Sequence, residues 1–199
     1  MRRLAKELGV EAMSLYNHVA NKGDLVDGMV DVVLGEVELP ADEPDWRAAV
    51  RKCATSFHEV LVSHPWAASL VIFPRGTTTP PVDSPRLRYM EWLLGRLREA
   101  GFSADLTYHA YHALDAHILG FTLWQLGHMA AARELAGDEG LAALAAAFLQ
   151  RLEQGDAPNL AEHVRQHIDG PKSDAVSEFE FGLDLILDGL GRAQERPSS

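Results

Sequence analysis

Nine histidines in 199 residues make metal or acid–base chemistry the first possibility to weigh. His109, His112 and His117 stand with Asp115 on one predicted helix, and His163 and His167 have the i, i+4 spacing that lets two imidazoles chelate one ion. The same His112, His117 and Asp115 are the groups a small helical enzyme would use for proton transfer. Neither chemistry has the rest of its apparatus. The chain carries no HExxH, no cysteine cluster, no nucleophile motif, no phosphate-cradling loop and no paired carboxylates for a metal. Histidine spacing alone is weak evidence, so the sequence predicts no enzyme, no catalytic residue, no metal site and no cofactor. The lone cysteine, Cys53, excludes an internal disulfide and fits a reducing compartment.

The elements that would position any site are helical throughout. Hydrophobic residues make up 47% and charged residues 24%, the composition of a globular domain. No apolar run reaches the ~18 to 20 residues of a membrane span, and MRRLAKELGV returns to charge too soon for a signal-peptide core. The expected location is therefore the cytoplasm, with no membrane partner. Leu4, Ala5 and Leu8 mark a short helix over residues 2–8, closed by Gly9 in a left-handed cap. A second short helix starts at Glu11 or Ala12, and Asn21 caps a third that spans Lys22 to Val37. The breaker-rich ELPADEPD then separates residues 1–38 from a larger unit, 44–195. In that body the spacing predicts helices from Trp46 to His64, over 86–100 and over 104–133. Further helices follow after an interruption at LAGDEG, over 159–168, and from Val176 to Leu190. The fold class is all-α, and the 104–133 helix, apolar on nearly every face, should be buried on all sides.

A short helix, a tight turn at Gly9 and a second short helix make a helix-turn-helix, the arrangement that lays its second helix in the DNA major groove. The net charge of −11 opposes phosphate binding, but residues 1–24 hold four basic against three acidic residues. That stretch carries +1 and the remainder −12, so any DNA contact belongs at the N-terminal end. The stretch LAKELGVEAMSLYNHVANKGDLVDGM closely resembles the TetR family of bacterial transcriptional regulators, in its tetracycline-repressor-like branch. The resemblance implies base-edge positions at Met13, Ser14, Asn17 and Ala12, and phosphate contacts from Arg2, Tyr16, His18 and Lys22. Among these, Asn17 is the hydrogen-bonding reader, because its amide can pair with adenine. Ala12 and Met13 offer only apolar contact.

The likeness continues more weakly into the body, through the WR of Trp46-Arg47, Ser56-Phe57, Gly101 to Ser103 and Gly120. It implies a homodimer through residues 104–133 and 174–192, a palindromic double-stranded operator, and a small-molecule effector that releases a repressor by acting on the 22–37 helix. The family's tetracycline-binding members carry a metal-binding histidine where VIFPRG stands here, and polar drug contacts where Cys53 and Leu93 stand. Those departures point to an apolar or aromatic effector, with Phe57, Trp66, Met90, Tyr108, Tyr111, His112 and Trp124 as candidate contacts. Family members also carry a helix before the motif, against which Leu4, Leu8, Leu15 and Val19 should pack. Met1 is accordingly expected to be an internal methionine of a longer protein. The alternative reading is a truncated member that keeps a dimeric ligand-binding body but binds DNA poorly.

Overall fold

The computed structural model describes residues 1–73, 75–76, 79–169 and 177–195, leaving out the side chains of Arg2, Ala12 and residues 131–139, 141–142 and 167–169. The described residues form nine helices and no strand: α1 (Arg2–Glu7), α2 (Ala12–Tyr16), α3 (Lys22–Leu34), α4 (Trp46–Ser63), α5 (Pro65–Ile72), α6 (Pro85–Glu99), α7 (Ala104–Glu153), α8 (Pro158–Asp169) and α9 (Glu178–Gln194).

Local chemistry sets most of the boundaries. Gly9 sits at φ 67° and Gly101 at φ 91°, the left-handed region where a side chain would be strained. Asn21 accepts the Asp24 N–H at 3.0 Å and so caps α3. Asp45, Ser84, Ser103 and Ser177 cap α4, α6, α7 and α9 in the same way. Pro65 ends α4 and opens α5, since its ring excludes a preceding helical residue but suits a first turn. α9 runs four residues past the expected end at Leu190, and two further C-terminal boundaries differ from the sequence expectation by more than a residue. α3 stops at Leu34 with Gly35 as its C-cap, three residues short of Val37. α7 runs unbroken for 50 residues through LAGDEG, because two glycines cost a helix about 1 kcal/mol each while proline, which would break it, is absent there.

α7 is the hub, in contact with α4, α5, α6, α8 and α9. Its Leu114 and Ile118 are fully enclosed beside Phe57 and Leu61 of α4, Leu93 and Leu97 of α6, and Leu183 and Leu187 of α9. α3 enters the same core through Val30, Val33 and Leu34. Three polar side chains in this layer, Thr122, His58 and His117, are bonded internally. Thr122 donates its hydroxyl hydrogen to the Ile118 carbonyl and accepts from His58 Nδ1 at 2.8 Å, while His117 Nε2 donates to the Phe179 carbonyl at 2.9 Å. The ring of Phe179 is stacked against both histidines. Burial, followed by the nearby His117, holds the His58 pKa below its ordinary value. Truncating Leu114 to alanine is expected to cost about 2–5 kcal/mol through lost transfer energy and the cavity left behind, measured by denaturant unfolding of the variant against the parent.

Candidate functional site

The N-terminal unit presents its candidate residues to solvent. Met13 is 72% and Tyr16 48% exposed, and Asn17, His18 and Lys22 are exposed as well, while Ser14 is half-buried. Met13, Tyr16 and Asn17 fall at i, i+3 and i+4, so they share one face of the second short helix. Lys22 is the first residue of α3, where free backbone N–H groups favour an anion. The side chains of Arg2 and Ala12 lie outside the described residues. Leu8 and Val10 are left 59% and 44% exposed, an unusual state for the apolar side of so small a unit.

In the body, a cavity of about 340 Å³ lies between α3, α4, α5, α6 and α7. Its apolar wall is built by Leu34 and Val37, by Phe57, by Val71 and Ile72, and by Met90 and Leu119. Its polar wall is Arg86, Tyr89, Tyr111 and Asp115. Tyr89 donates its hydroxyl to Asp115 Oδ1 at 3.2 Å and Tyr111 donates to Oδ2 at 3.3 Å, so both carboxylate oxygens are engaged. Burial pushes the Asp115 pKa up, opposed by the two tyrosine bonds and more weakly by His112 and Arg86. Burial and then the neighbouring Asp115 raise Tyr111 to about 12 and carry Tyr89 well above its ordinary value. Both tyrosines are therefore neutral donors at any physiological pH.

Phe57, Met90 and Tyr111 stand on this wall. The other candidates do not meet it: Trp66, Tyr108 and Trp124 are 45%, 62% and 50% exposed, and His112 is exposed with Nδ1 bonded to the Tyr108 carbonyl at 2.8 Å. Spacing alone could have located the missing polar groups. Tyr111, Asp115 and Leu119 lie at i, i+4 and i+8 of α7, and Arg86, Tyr89 and Met90 at i, i+3 and i+4 of α6, so each set extends one helix face from a residue already identified. His117 is spent on the Phe179 carbonyl, and the side chain of His167 lies outside the described residues. No group of three or more metal-ligating side chains converges among the described residues.

Arg86 has a second aspect. It also lines an open cleft with His18, Asp24, Asp27 and Asp31, between the recognition unit and α3. Asp31 is raised by burial, and Arg86 opposes the shift. Across the same cleft the Asp27 carboxylate accepts the N–H of Arg75 at 2.8 Å and of Gly76 at 2.7 Å, tying α3 to the loop that follows α5.

Because the folded protein holds Asp115 above its unfolded pKa, the native state binds the extra proton, and the carboxylate costs stability as pH rises through that interval. Asp115→Asn is expected to raise the melting temperature at pH 7, with the gain shrinking as pH falls toward the ordinary carboxylate value. Thermal denaturation of both proteins across that range checks it.

Residues 39–193 match the family described as "Tetracyclin repressor-like, C-terminal domain". The HTH-type transcriptional repressor DrrR1 of Streptomyces coeruleorubidus is 33% identical over 194 residues, covering 96% of this chain and 68% of the relative. An HTH-type transcriptional regulator of Saccharopolyspora erythraea is 36% identical over 196 residues, covering 96% and 75%. The Streptomyces coelicolor TetR family protein ActR, solved in complex with actinorhodin, superposes with a TM-score of 0.74 at 28% identity, covering 98% of this chain and 88% of that one. With its helix-turn-helix, its helical body and these likenesses along nearly its whole length, the chain belongs to the TetR family of transcriptional regulators.

Proposed function

We propose that the protein is a ligand-responsive DNA-binding repressor, released by a small apolar or aromatic effector that occupies the 340 Å³ cavity. The observation that carries this reading is how the cavity wall is shared. Leu34 and Val37 come from the end of α3 and the turn after it, and Val71 and Ile72 come from the end of α5. The loop after α5 returns to the first half of α3 through Asp27. A molecule in the cavity therefore presses on α3 at its far end directly and at its near end through the loop. A ligand that favours one α3 orientation must lower DNA affinity if the operator favours another, and a coupling of about 1–3 kcal/mol is ordinary for such linkage. That ActR was solved in complex with actinorhodin supports a small-molecule effector.

Two protomers are required in this reading, since one short recognition helix contacts too few base pairs and a two-fold dimer matches a palindromic operator. α7 exposes Trp124 and α9 exposes Phe181 and Leu185, apolar side chains suited to a four-helix bundle with a second copy. Residues 174–176 of the expected interface lie outside the described residues. The groups that suggested catalysis have other employment, His117 on a backbone carbonyl and Asp115 between two tyrosines, which supports a regulator in place of an enzyme. No helix of the described residues is long and apolar enough to cross a membrane, and the bacterial cytoplasm, where operator DNA lies, is the proposed location.

Binding of the purified protein to the DNA upstream of its own gene tests the reading. Asn17→Ala is expected to weaken specific binding by about 1–3 kcal/mol, and Lys22→Ala to weaken binding to all sequences and reduce the salt slope by about 1. Affinity unchanged by both would overturn the assignment of the interface. Asp27→Ala should retain operator binding while losing most of its release by a molecule that fills the cavity. Release of the variant at the parent's ligand concentration would remove the loop from the coupling.

A further inference from the structure

Asp115 is half-buried at the cavity wall with its charge incompletely offset. It forms no ion pair among the described residues, and its two partners there are neutral hydroxyls. A carboxylate has about four acceptor sites, and the two tyrosines occupy one on each oxygen. Arg86 is the obvious counter-charge, yet it faces two ways. It lines the outer cleft with Asp24, Asp27 and Asp31 and is what offsets the burial of Asp31, whereas at Asp115 it stands behind both tyrosines and His112. Arg86 also lines the cavity but forms no ion pair with Asp115, so the carboxylate stands at the empty volume with only neutral hydroxyls bonded to it. Buried carboxylates are ordinarily paired, because the solvation they lose must be replaced by an opposite charge or full hydrogen bonding.

We propose that the effector is an organic cation, an apolar or aromatic body bearing a protonated amine, and that the amine pairs with Asp115 while Tyr89 and Tyr111 hold that carboxylate in place. The proposal rests on the cavity being the effector site. The remaining wall suits such a molecule: Phe57, Met90 and Leu119 take its apolar body, and the aromatic faces nearby favour a cation over a neutral group. Tyr89 is locked by its edge-to-face contact with Phe57, ring centroids 4.9 Å apart, so the carboxylate is oriented before a ligand arrives. A neutral head group would leave the charge as it stands, and an acid would add a second negative charge beside it.

Three probes with one ring system and different head groups separate these cases: 1-naphthylmethylamine, 1-naphthalenemethanol and 1-naphthoic acid, titrated into the purified full chain by calorimetry. The amine is expected to bind about tenfold or more tighter than the alcohol, the value of one charge-assisted contact, with the acid weakest. Asp115→Asn should bring amine and alcohol close to parity. Equal affinity for the three probes, a preference for the acid, or an amine preference that survives Asp115→Asn overturns the charge assignment while leaving the cavity as the effector site. Leu119→Trp, which fills the cavity, should abolish binding of the amine, and Met90→Trp serves if that variant does not fold by circular dichroism. Binding of none of the probes, or binding undiminished in a folded cavity-filled variant, overturns the cavity reading and the charge assignment with it.

Discussion

The structure depends on one helix satisfying several surroundings at once. α7 packs against α4, α5, α6, α8 and α9, and each of its faces answers to a different neighbour. Leu114 and Ile118 fill the central core, Tyr111, Asp115 and Leu119 face the cavity, and Tyr108 and Trp124 face outward. An α-helix advances 100° per residue, about 3.6 residues per turn, so these assignments are interlocked: a shift of one residue would, according to its direction, push Asp115 into the core or Leu114 toward the cavity. That registry is held by the enclosed leucines of α4, α6 and α9, whose burial is worth about 1.5–3 kcal/mol each. The polar cavity wall is positioned by the apolar core beside it.

Electrostatics follow from the same geometry. The chain carries a net charge of −11, and acidic groups crowd even the cleft beside the recognition unit, where Asp24, Asp27 and Asp31 lie along α3. Each has a reason to be tolerated. Asp24 is bonded to Asn21 in the cap of α3, Asp27 accepts two loop amides, and Asp31 has Arg86. Asp115 is bonded only to two neutral hydroxyls, and it stands on the cavity. A destabilised group at a cavity wall is how a folded protein stores preference for a ligand that completes it.

Much of this was legible in the sequence, and the failures have identifiable causes. Gly9, Asn21, Pro65 and Gly101 announce their turns and caps because the backbone there demands those residue types. LAGDEG misleads because glycine also marks loops, whereas two glycines without a proline weaken a helix without ending it. The cavity was half legible. Phe57, Met90 and Tyr111 were recognisable as large side chains on apolar faces, but size says nothing about direction on a helix that is apolar all round, and Tyr108 and Trp124 point outward by the same criterion. Asp115 looked like an acid–base group because histidines flank it in sequence. In space its partners are tyrosines, one of them from α6, a contact 26 residues away that no local pattern encodes.

The connection between cavity and recognition unit depends on how closely α3 and the loop approach. A Cβ on Gly23 would stand 2.1 Å from the Arg75 carbonyl oxygen, and one on Gly76 would stand 2.6 Å from Asp27 Oδ2. Glycine at position 23 lets backbone meet backbone, and glycine at position 76 makes room for the Asp27 carboxylate, which holds two successive amides by charge-assisted bonds. A long side chain in that contact would absorb a small displacement by changing rotamer, whereas the short Asp27 side chain is held at both of its oxygens. α3 itself is a stiff rod of 13 residues, about 20 Å long at 1.5 Å per residue. Held by the loop near its start and by Leu34 in the cavity wall at its end, it cannot bend to accommodate a ligand that parts the two. In the proposed reading it tilts as one body, carrying the short helix ahead of Lys22 with it.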